Sequence, residues 1–327
     1  MNYRKFGNTD LSVSEVGFGA WGIGGPAMAG DIPIGWGDVD DATSRKALTR
    51  SLELGINFYD TADFYGLGHS EELIGEVFGN NPNVIVATKV GHRLKEDGSI
   101  FVDYSKGNIL KSCKESLRRL KRESIDYYQL HTAKVSDLEN SGCVEAMVQL
   151  MREGKIRYWG ISLNTFDPFP EADFMLNHGI GHGFQLVLNI INQEALTIVP
   201  QALKAGYGII ARMPLQFGLL TGKFRKETRF PKDDHRVFRL PPDILSDSLN
   251  LLEQIWPLTQ KYEISKTELA MSFILSFEGV STVIPGIKTP EQAEQNTHGI
   301  LKLSDEDRDF ICSLYQPQFR DLLMRMK

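Results

Sequence analysis

Four ionisable side chains stand where short β-rich runs end. Asp60 closes the first part of FYDTADFYG, Lys89 follows VIVAT, His131 ends YYQLH, and Tyr65 lies in the segment just after Asp60. Taken singly, each has a plain role, because an Asp after a strand commonly caps a turn and a Lys is commonly solvated. Their convergence changes the reading. An ammonium at the end of a buried strand needs a counter-charge, and Asp60 on the adjacent strand is the natural one. A phenol, with its pKa near 10, exchanges protons at neutral pH only if a neighbouring cation favours the anion, and Lys89 beside Tyr65 would do that. A Tyr so tuned, paired with a His, suits proton transfer to a carbonyl oxygen without a nucleophile or a metal. A hydride source is missing, and a cofactor must supply it.

The elements that must position these groups alternate regularly. Candidate strands are Val16–Gly19, Asn57–Asp60, Val84–Lys89, Ile125–His131, Arg157–Ser162, Phe184–Asn189, Gly208–Met213 and Val280–Pro285. Several are near-continuous apolar runs, as parallel strands covered on both faces are. Between them the spacing predicts helices: TSRKALTRSLELG after Asp40-Asp41, then about His69–Phe78, Gly107–Arg122, Ser136–Arg152, Pro168–Asn177, Gln193–Lys204, Ile244–Tyr262 and Ser265–Phe277. Strand starts recur at intervals of about 24 to 42 residues, the size of a βαβ unit, until a gap of about 72 before the last. Eight such units predict an α/β fold, a (β/α)8 TIM barrel in which the strand ends share one face. Tyr3–Phe6 and Leu11–Ser14 around Gly7-Asn8 read as an N-terminal β-hairpin capping the barrel floor. The long last gap reads as an inserted loop after strand 7. Nothing marks a linker, so residues 1–327 are expected to form a single domain.

Composition narrows the partners. With 36 Lys plus Arg against 42 Asp plus Glu, the net charge of −6 advertises no basic face to nucleic acid or anionic lipid. Three cysteines, Cys113, Cys143 and Cys312, fit neither a disulfide framework nor a zinc site. His178 and His182 have helical i, i+4 spacing, but the glycines among them argue against a metal face, and no metal is expected. His69 reads as a residue that opens the following helix. The N-terminus has no apolar leader and no window approaches a membrane span, so a cytoplasmic, soluble protein is expected.

Gly17-Phe-Gly-Ala-Trp-Gly22 fits G-x-G-x-x-G, but a dinucleotide fingerprint needs a helix to begin on those glycines. Residues 22–37, rich in Gly and holding Pro26 and Pro33, read instead as a long irregular loop at the mouth of strand 1. Trp21, with Trp36, would line a substrate pocket there.

The chain resembles the aldo-keto reductase family. The resemblance rests on DTADFYGLGHSEELIGEVF (60–78), VATKVG (86–91), DYYQLH (126–131), GIS (160–162), the Gln of FQLVLN, FGLLTGKF (217–224) and VIPGIKTPEQAEQN (283–296), in family order. It implies an oxidoreductase that reduces an aldehyde or ketone with NADPH, or with NADH as the alternative. Tyr65 would be the general acid, Lys89 and Asp60 its tuning pair, and His131 the group orienting the carbonyl. The nicotinamide carboxamide would be held by Ser162, Asn164 and Gln185, although Leu163 stands where the family pattern puts an Asn directly after the Ser. Arg212 stands where an aromatic residue usually stacks on the nicotinamide, and a guanidinium plane can stack too. Gly218, Leu219, Thr221 and Lys223 match a pyrophosphate clasp, with Arg229 and Arg236 as weaker candidates. Gly286, Lys288, Thr289, Gln292 and Asn296 match the segment for the adenosine 2′-phosphate. Many relatives preferring NADP carry an Arg where Gln292 stands.

Two rival readings follow from the same residues. A nicotinamide-binding regulatory subunit of a larger complex would keep the site with little turnover. A hydrolase barrel using Asp60 would leave Lys89 and Tyr65 without a role. The leading reading is a monomeric or weakly oligomeric enzyme acting on a small carbonyl compound.

Overall fold

The computed structural model describes residues 1–30, 32–33, 35, 39–231, 234 and 236–327. Eight parallel strands follow one another round a single sheet: β1 (Phe18–Gly19), β2 (Phe58–Asp60), β3 (Ile85–Val90), β4 (Ile125–His131), β5 (Ile156–Ser162), β6 (Gly183–Val187), β7 (Gly208–Arg212) and β8 (Val280–Ile284). Parallel bridges join Val16 to Val283 and Gly19 to Gly286, with Gly17 N–H donating to Val283 O at 2.8 Å and Gly19 N–H to Pro285 O at 2.9 Å. The sheet therefore closes into the expected barrel.

Strand residues alternate between two cores, as a period of two requires. Phe58, Ile85, Ala87, Tyr127, Ile210 and Ile284 point into the barrel, where Phe6, Leu11 and Val13 of the N-terminal hairpin join them. Tyr59, Val86, Tyr128, Trp159, Ile161, Phe184, Ile209 and Val283 point outward and pack under the helices. The hairpin pairs Tyr3–Lys5 with Ser12–Ser14 and caps the floor. Its Phe6 ring lies 4.8 Å from the Tyr127 ring, edge to face.

Carrying the inward alternation toward the strand ends assigns the other end of the barrel. Two residues past Phe58 is Asp60, past Ala87 is Lys89, past Tyr127 come Gln129 and His131, and past Ile210 is Arg212. Ser162 and Gln185 join this set, since Ser162 pairs in register with both His131 and Gln185.

The segments between the strands depart from expectation in several places, and the expected helix 193–204 opens as a 3-10 turn, Glu194–Thr197, before Ile198–Ala205. The run 136–152 is broken into Val135–Asn140 and Cys143–Arg152 by Gly142 at φ 77. The run 244–262 becomes Pro242–Leu252 and Pro257–Tyr262, because Pro257 lacks the N–H a continuous helix needs and starts a new one instead. The loop after β1 contains a 3-10 turn at Ala20–Gly24 and a small ladder between Met28–Ala29 and Ile32–Pro33. Trp36 lies outside the described residues. A second unexpected hairpin, His92–Leu94 with Ile100–Val102, follows β3. No helix among the described residues is long and apolar enough to cross a membrane.

Phe6 is fully buried at the end of the barrel opposite the strand C-termini. Phe6→Ala should therefore cost about 3–5 kcal/mol of stability, measured by denaturant unfolding, with nucleotide affinity by fluorescence titration unchanged.

Candidate active site

The strand ends bring Asp60, Lys89, Tyr65, Gln129 and Gln185 into one hydrogen-bonded cluster. Lys89 is fully buried. Its Nζ donates to Asp60 Oδ2 at 2.5 Å, to the Thr61 carbonyl at 2.9 Å and to Tyr65 Oη at 3.2 Å. Burial opposes its charge, but Asp60 and then Tyr65 outweigh that, and the net effect holds the ammonium pKa above its ordinary value. The other Asp60 oxygen accepts from Gln185 Nε2 at 2.6 Å and Gln129 Nε2 at 3.3 Å. Gln129 was not singled out by sequence, although its inward register two residues before His131 was the available signal.

Tyr65 sits on a loop fastened from behind. Thr61 Oγ1 donates to Ser70 Oγ at 2.8 Å, and Ser70 Oγ donates to the Ala20 carbonyl at 2.9 Å. The loops after β1 and β2 touch so closely that a Cβ on Gly66, at φ 59, would lie 2.0 Å from the Gly24 oxygen. Glu71, fully buried at the start of the following helix His69–Val77, accepts from Arg119 Nε at 2.7 Å and Thr88 Oγ1 at 2.6 Å. His69 pairs with Asp41 at 2.9 Å on the neighbouring helix Asp41–Glu53.

His131 presents its ring edge-on to Tyr65, centroids 6.0 Å apart. Its Nδ1 is buried without a hydrogen-bond partner, and its carbonyl accepts from the Tyr104 hydroxyl. Burial, reinforced by His92, Lys89 and Arg212, holds the imidazole well below its usual pKa. It is neutral at pH 7. Trp21 lies beside the phenol, ring centroids 6.2 Å apart.

The remaining sequence-derived candidates fall into two groups. At β5 and β7, Ser162 faces inward and buried, while Leu163 is fully buried in the outer core and so turns away from the mouth. Asn164 Oδ1 caps its own loop, accepting from Phe166 N–H at 3.0 Å and Asp167 N–H at 3.2 Å. Arg212 donates to the Leu163 carbonyl at 3.1 Å and Thr165 Oγ1 at 3.0 Å. Its Nε is buried without a partner, and burial lowers its pKa against the pull of Tyr65 and Asp60.

The second group lies on the segments after β7 and β8. After β7 the backbone passes through left-handed φ at Met213, Gln216, Phe217 and Gly218. Asn189 Nδ2 holds that path, donating to the Met213 carbonyl and to Gln216 Oε1, both at 2.9 Å. Thr221 Oγ1 donates to the Gly218 carbonyl at 2.7 Å and accepts from Lys223 N–H at 3.2 Å. The Leu219 side chain is fully buried, so only its backbone can meet a ligand. Arg236 lies over the Phe230 ring, 4.8 Å from its centroid, and pairs with Asp234. Arg229 bonds the carbonyls of Lys226 and Thr228. After β8, Thr289 caps the helix Pro290–Thr297 through Gln292 N–H, while Gln292 Oε1 accepts from Lys288 N–H at 2.7 Å. Lys288 crosses the loop after β1, where a Cβ on Gly22 would lie 2.6 Å from its side chain. Asn296 is buried on the same helix. Nothing crowds Gly286 within 4 Å of where a Cβ would stand. An uncrowded backbone, a capped helix N-terminus and a neighbouring ammonium together suit a phosphate. The residues present therefore fit a nucleotide.

The strand ends thus gather a buried Lys–Asp pair beneath a phenol at the C-terminal mouth of a closed parallel barrel. The sequence profile of the Aldo/keto reductase family matches residues 15–316. The chain is 30% identical over 299 residues to "Uncharacterized oxidoreductase YqkF" of Bacillus subtilis, covering 90% of each chain. It is 30% identical to L-galactose dehydrogenase of Arabidopsis thaliana, over 94% of this chain and 90% of that one. It is 28% identical to the NADH-specific methylglyoxal reductase of Escherichia coli, over 94% and 96%. Among solved structures, glycerol dehydrogenase AKR11B4 from Gluconobacter oxydans superposes with a TM-score of 0.80 at 29% identity, covering 99% of this chain and 96% of that one. The chain belongs to the aldo/keto reductase family, oxidoreductases that reduce carbonyl groups with NAD(P)H.

One buried group has no place in the expected site. Both oxygens of Asp63, between Asp60 and Tyr65, are buried without partners, and burial together with the nearby Glu71 charge pushes its pKa up to about 8. The folded protein keeps that proton up to about pH 8, whereas an unfolded chain releases it near pH 4. Stability should therefore fall as pH rises through that window. Asp63→Asn, which cannot ionise, should melt higher than wild type at pH 8 and nearly with it at pH 4.5, read by thermal unfolding at both pH values.

Proposed function

We propose that this chain reduces an aldehyde or ketone to the alcohol with NADPH, Tyr65 giving the proton. The observation that carries the reading is the buried Lys89 ammonium held between Asp60 and the Tyr65 hydroxyl, 2.5 and 3.2 Å away. The reduced nicotinamide supplies the hydride. The substrate carbonyl accepts hydrogen bonds from Tyr65 Oη–H and from His131, which is neutral and so orients the oxygen without contributing charge. As negative charge grows on that oxygen, Tyr65 passes its proton to it, and the phenolate left behind faces the Lys89 ammonium. Asp60 offsets the ammonium in the resting site, and Gln129 and Gln185 hold Asp60. Trp21 walls the substrate side.

For the cofactor, Ser162, Asn164, Gln185 and Arg212 are the proposed nicotinamide contacts. Gln185 would have to share its amide between Asp60 and the carboxamide. Gly218, Leu219, Thr221 and Lys223 are the proposed pyrophosphate contacts, and Gly286, Lys288, Thr289, Gln292 and Asn296 those of the adenosine end. NADPH is preferred in this reading because Lys288 has no ion-pair partner among the described residues and stands beside a helix N-terminus. The chain would work as one barrel domain, monomeric or weakly oligomeric, in the cytoplasm.

Tyr65→Phe should lower turnover by about 10²–10⁴-fold while NADPH still quenches or shifts protein fluorescence with wild-type affinity; full activity in that variant would overturn the assignment. Lys288→Ala should weaken NADPH by about tenfold more than NADH, read as the ratio of their dissociation constants.

A further inference from the structure

His131 is an unusual orienting group, because no hydrogen bond fixes its ring from behind. A second histidine does that work. His92 opens the hairpin after β3 and stacks on His131, ring centroids 4.2 Å apart and planes 30° from parallel. The backbone reaches this position through Gly91 at φ 130, where a Cβ would strike the Tyr104 ring at 2.1 Å. His92 Nε2 is tied to Thr132 Oγ1 at 3.2 Å, and Thr132 itself holds a left-handed φ of 66. The Phe64 ring meets the imidazole edge-on at 5.5 Å. His92 is thus fixed on one nitrogen and one edge, and its Nδ1 has no hydrogen-bond partner among the described residues.

Resting on the carbonyl-reductase reading, we infer that His92 is a substrate contact whose Nδ1 binds an oxygen on the carbon next to the carbonyl, so that the preferred substrates are α-hydroxycarbonyl or 1,2-dicarbonyl compounds. Two imidazoles whose ring centres lie 4.2 Å apart can each present a nitrogen to one small substrate. One addresses the reacting carbonyl oxygen and the other an oxygen one carbon away, a spacing that a simple alkyl aldehyde or ketone leaves unmet. The Thr132 hydroxyl can donate to His92 Nε2, which places the ring proton on Nδ1, or accept from it, which leaves Nδ1 a lone pair. The site can therefore meet a ketone oxygen or a hydroxyl. Burial and the Lys89 charge keep His92 below its usual pKa, which leaves both options open at neutral pH. A polar contact left empty by a substrate lacking the oxygen costs more than a lost apolar contact would.

Hydroxyacetone and 2-butanone test this, since they differ only in a terminal hydroxyl against a methyl. Wild-type kcat/KM with NADPH is expected to favour hydroxyacetone by about tenfold or more. In His92→Phe, which keeps a stacked ring without the nitrogens, that ratio should collapse toward the value set by intrinsic reactivity, mostly through KM for hydroxyacetone. His92→Gln restores an amide without the stack, and part of the ratio should return. NADPH titration by fluorescence verifies that each variant is folded. Equal wild-type efficiency on the two ketones, or an unchanged ratio in His92→Phe, would overturn this inference alone. Absence of NADPH oxidation by wild type with any aldehyde or ketone would overturn the reductase reading and this inference with it.

Discussion

The site is organised by one buried ion pair, Lys89 with Asp60. Isolating an ammonium in a barrel interior costs several kcal/mol, and a carboxylate repays it only if its remaining lone pairs are also satisfied. Asp60 is satisfied on both oxygens, by Lys89 on one and by Gln185 and Gln129 on the other. These partners come from strands β2, β3, β4 and β6, so the pair can be assembled only when the sheet has closed with its register correct. Slipping any of these strands by one residue would exchange inner for outer side chains and leave a charge unpaired. Chemistry and topology are therefore enforced by the same contacts. The third hydrogen of the ammonium, having found Asp60 and the Thr61 carbonyl, is left to face the Tyr65 oxygen.

Much of this was legible in the sequence, and for one reason. Period-two alternation in apolar strands says which residues point inward, and polar residues that break an apolar run at its end must share the mouth of a parallel barrel. Asp60, Lys89 and His131 were visible on that basis, and Arg212 and Gln185 obey the same rule. What stayed hidden was long-range satisfaction. Gln129 reads as an ordinary strand residue until Asp60 is placed opposite it, and Glu71 reads as a solvated helix-start residue until Arg119 and Thr88 enclose it. The breaks at Gly142 and Pro257 escape a reading by spacing because apolar residues continue across them. Asn164 shows the reverse limit: it is one residue out of the family register, and its side chain is drawn to nearby backbone N–H groups, a competition that short amides commonly win locally.

The loops at the mouth hold backbone that would relax if it stood alone. Thr132 after β4 and Met213, Gln216 and Phe217 after β7 all carry left-handed φ without being glycine, at about 1–3 kcal/mol each. The cost is met by packing and hydrogen bonds that over-determine these conformations. Asn189 clamps the β7 loop at Met213 and Gln216, while Gln216 also reaches Met326 Sδ at 3.6 Å, just past the last helix, Arg320–Arg325. Thr132 N–H donates to the Ser162 carbonyl at 3.0 Å and its hydroxyl meets His92. Thus the helices after β8 support a loop that follows β7, and the hairpin after β3 supports a residue that follows β4. Thr132, Met213 and Phe217 each adjoin a proposed contact, His131, Arg212 and Gly218 respectively, where rigidity before binding reduces what binding must spend on order.

The electrostatics of the mouth then divide the labour between Tyr65 and His131. Two fixed cations, Lys89 and Arg212, and the neighbouring His92 all disfavour a second proton on His131, while Asp60 is committed to Lys89. A neutral imidazole can orient an oxygen but is a poor source of a proton, whereas the phenol oxygen lies 3.2 Å from the Lys89 ammonium. In the proposed reaction the proton therefore comes from Tyr65 and the orientation from His131. Behind this mouth, Glu71 pairs with Arg119 and Asp63 holds its proton at neutral pH, so neither carboxylate adds a net negative charge beside the arrangement. An acidic protein of net charge −6 thereby keeps a locally cationic mouth, suited to an oxygen on which negative charge is growing.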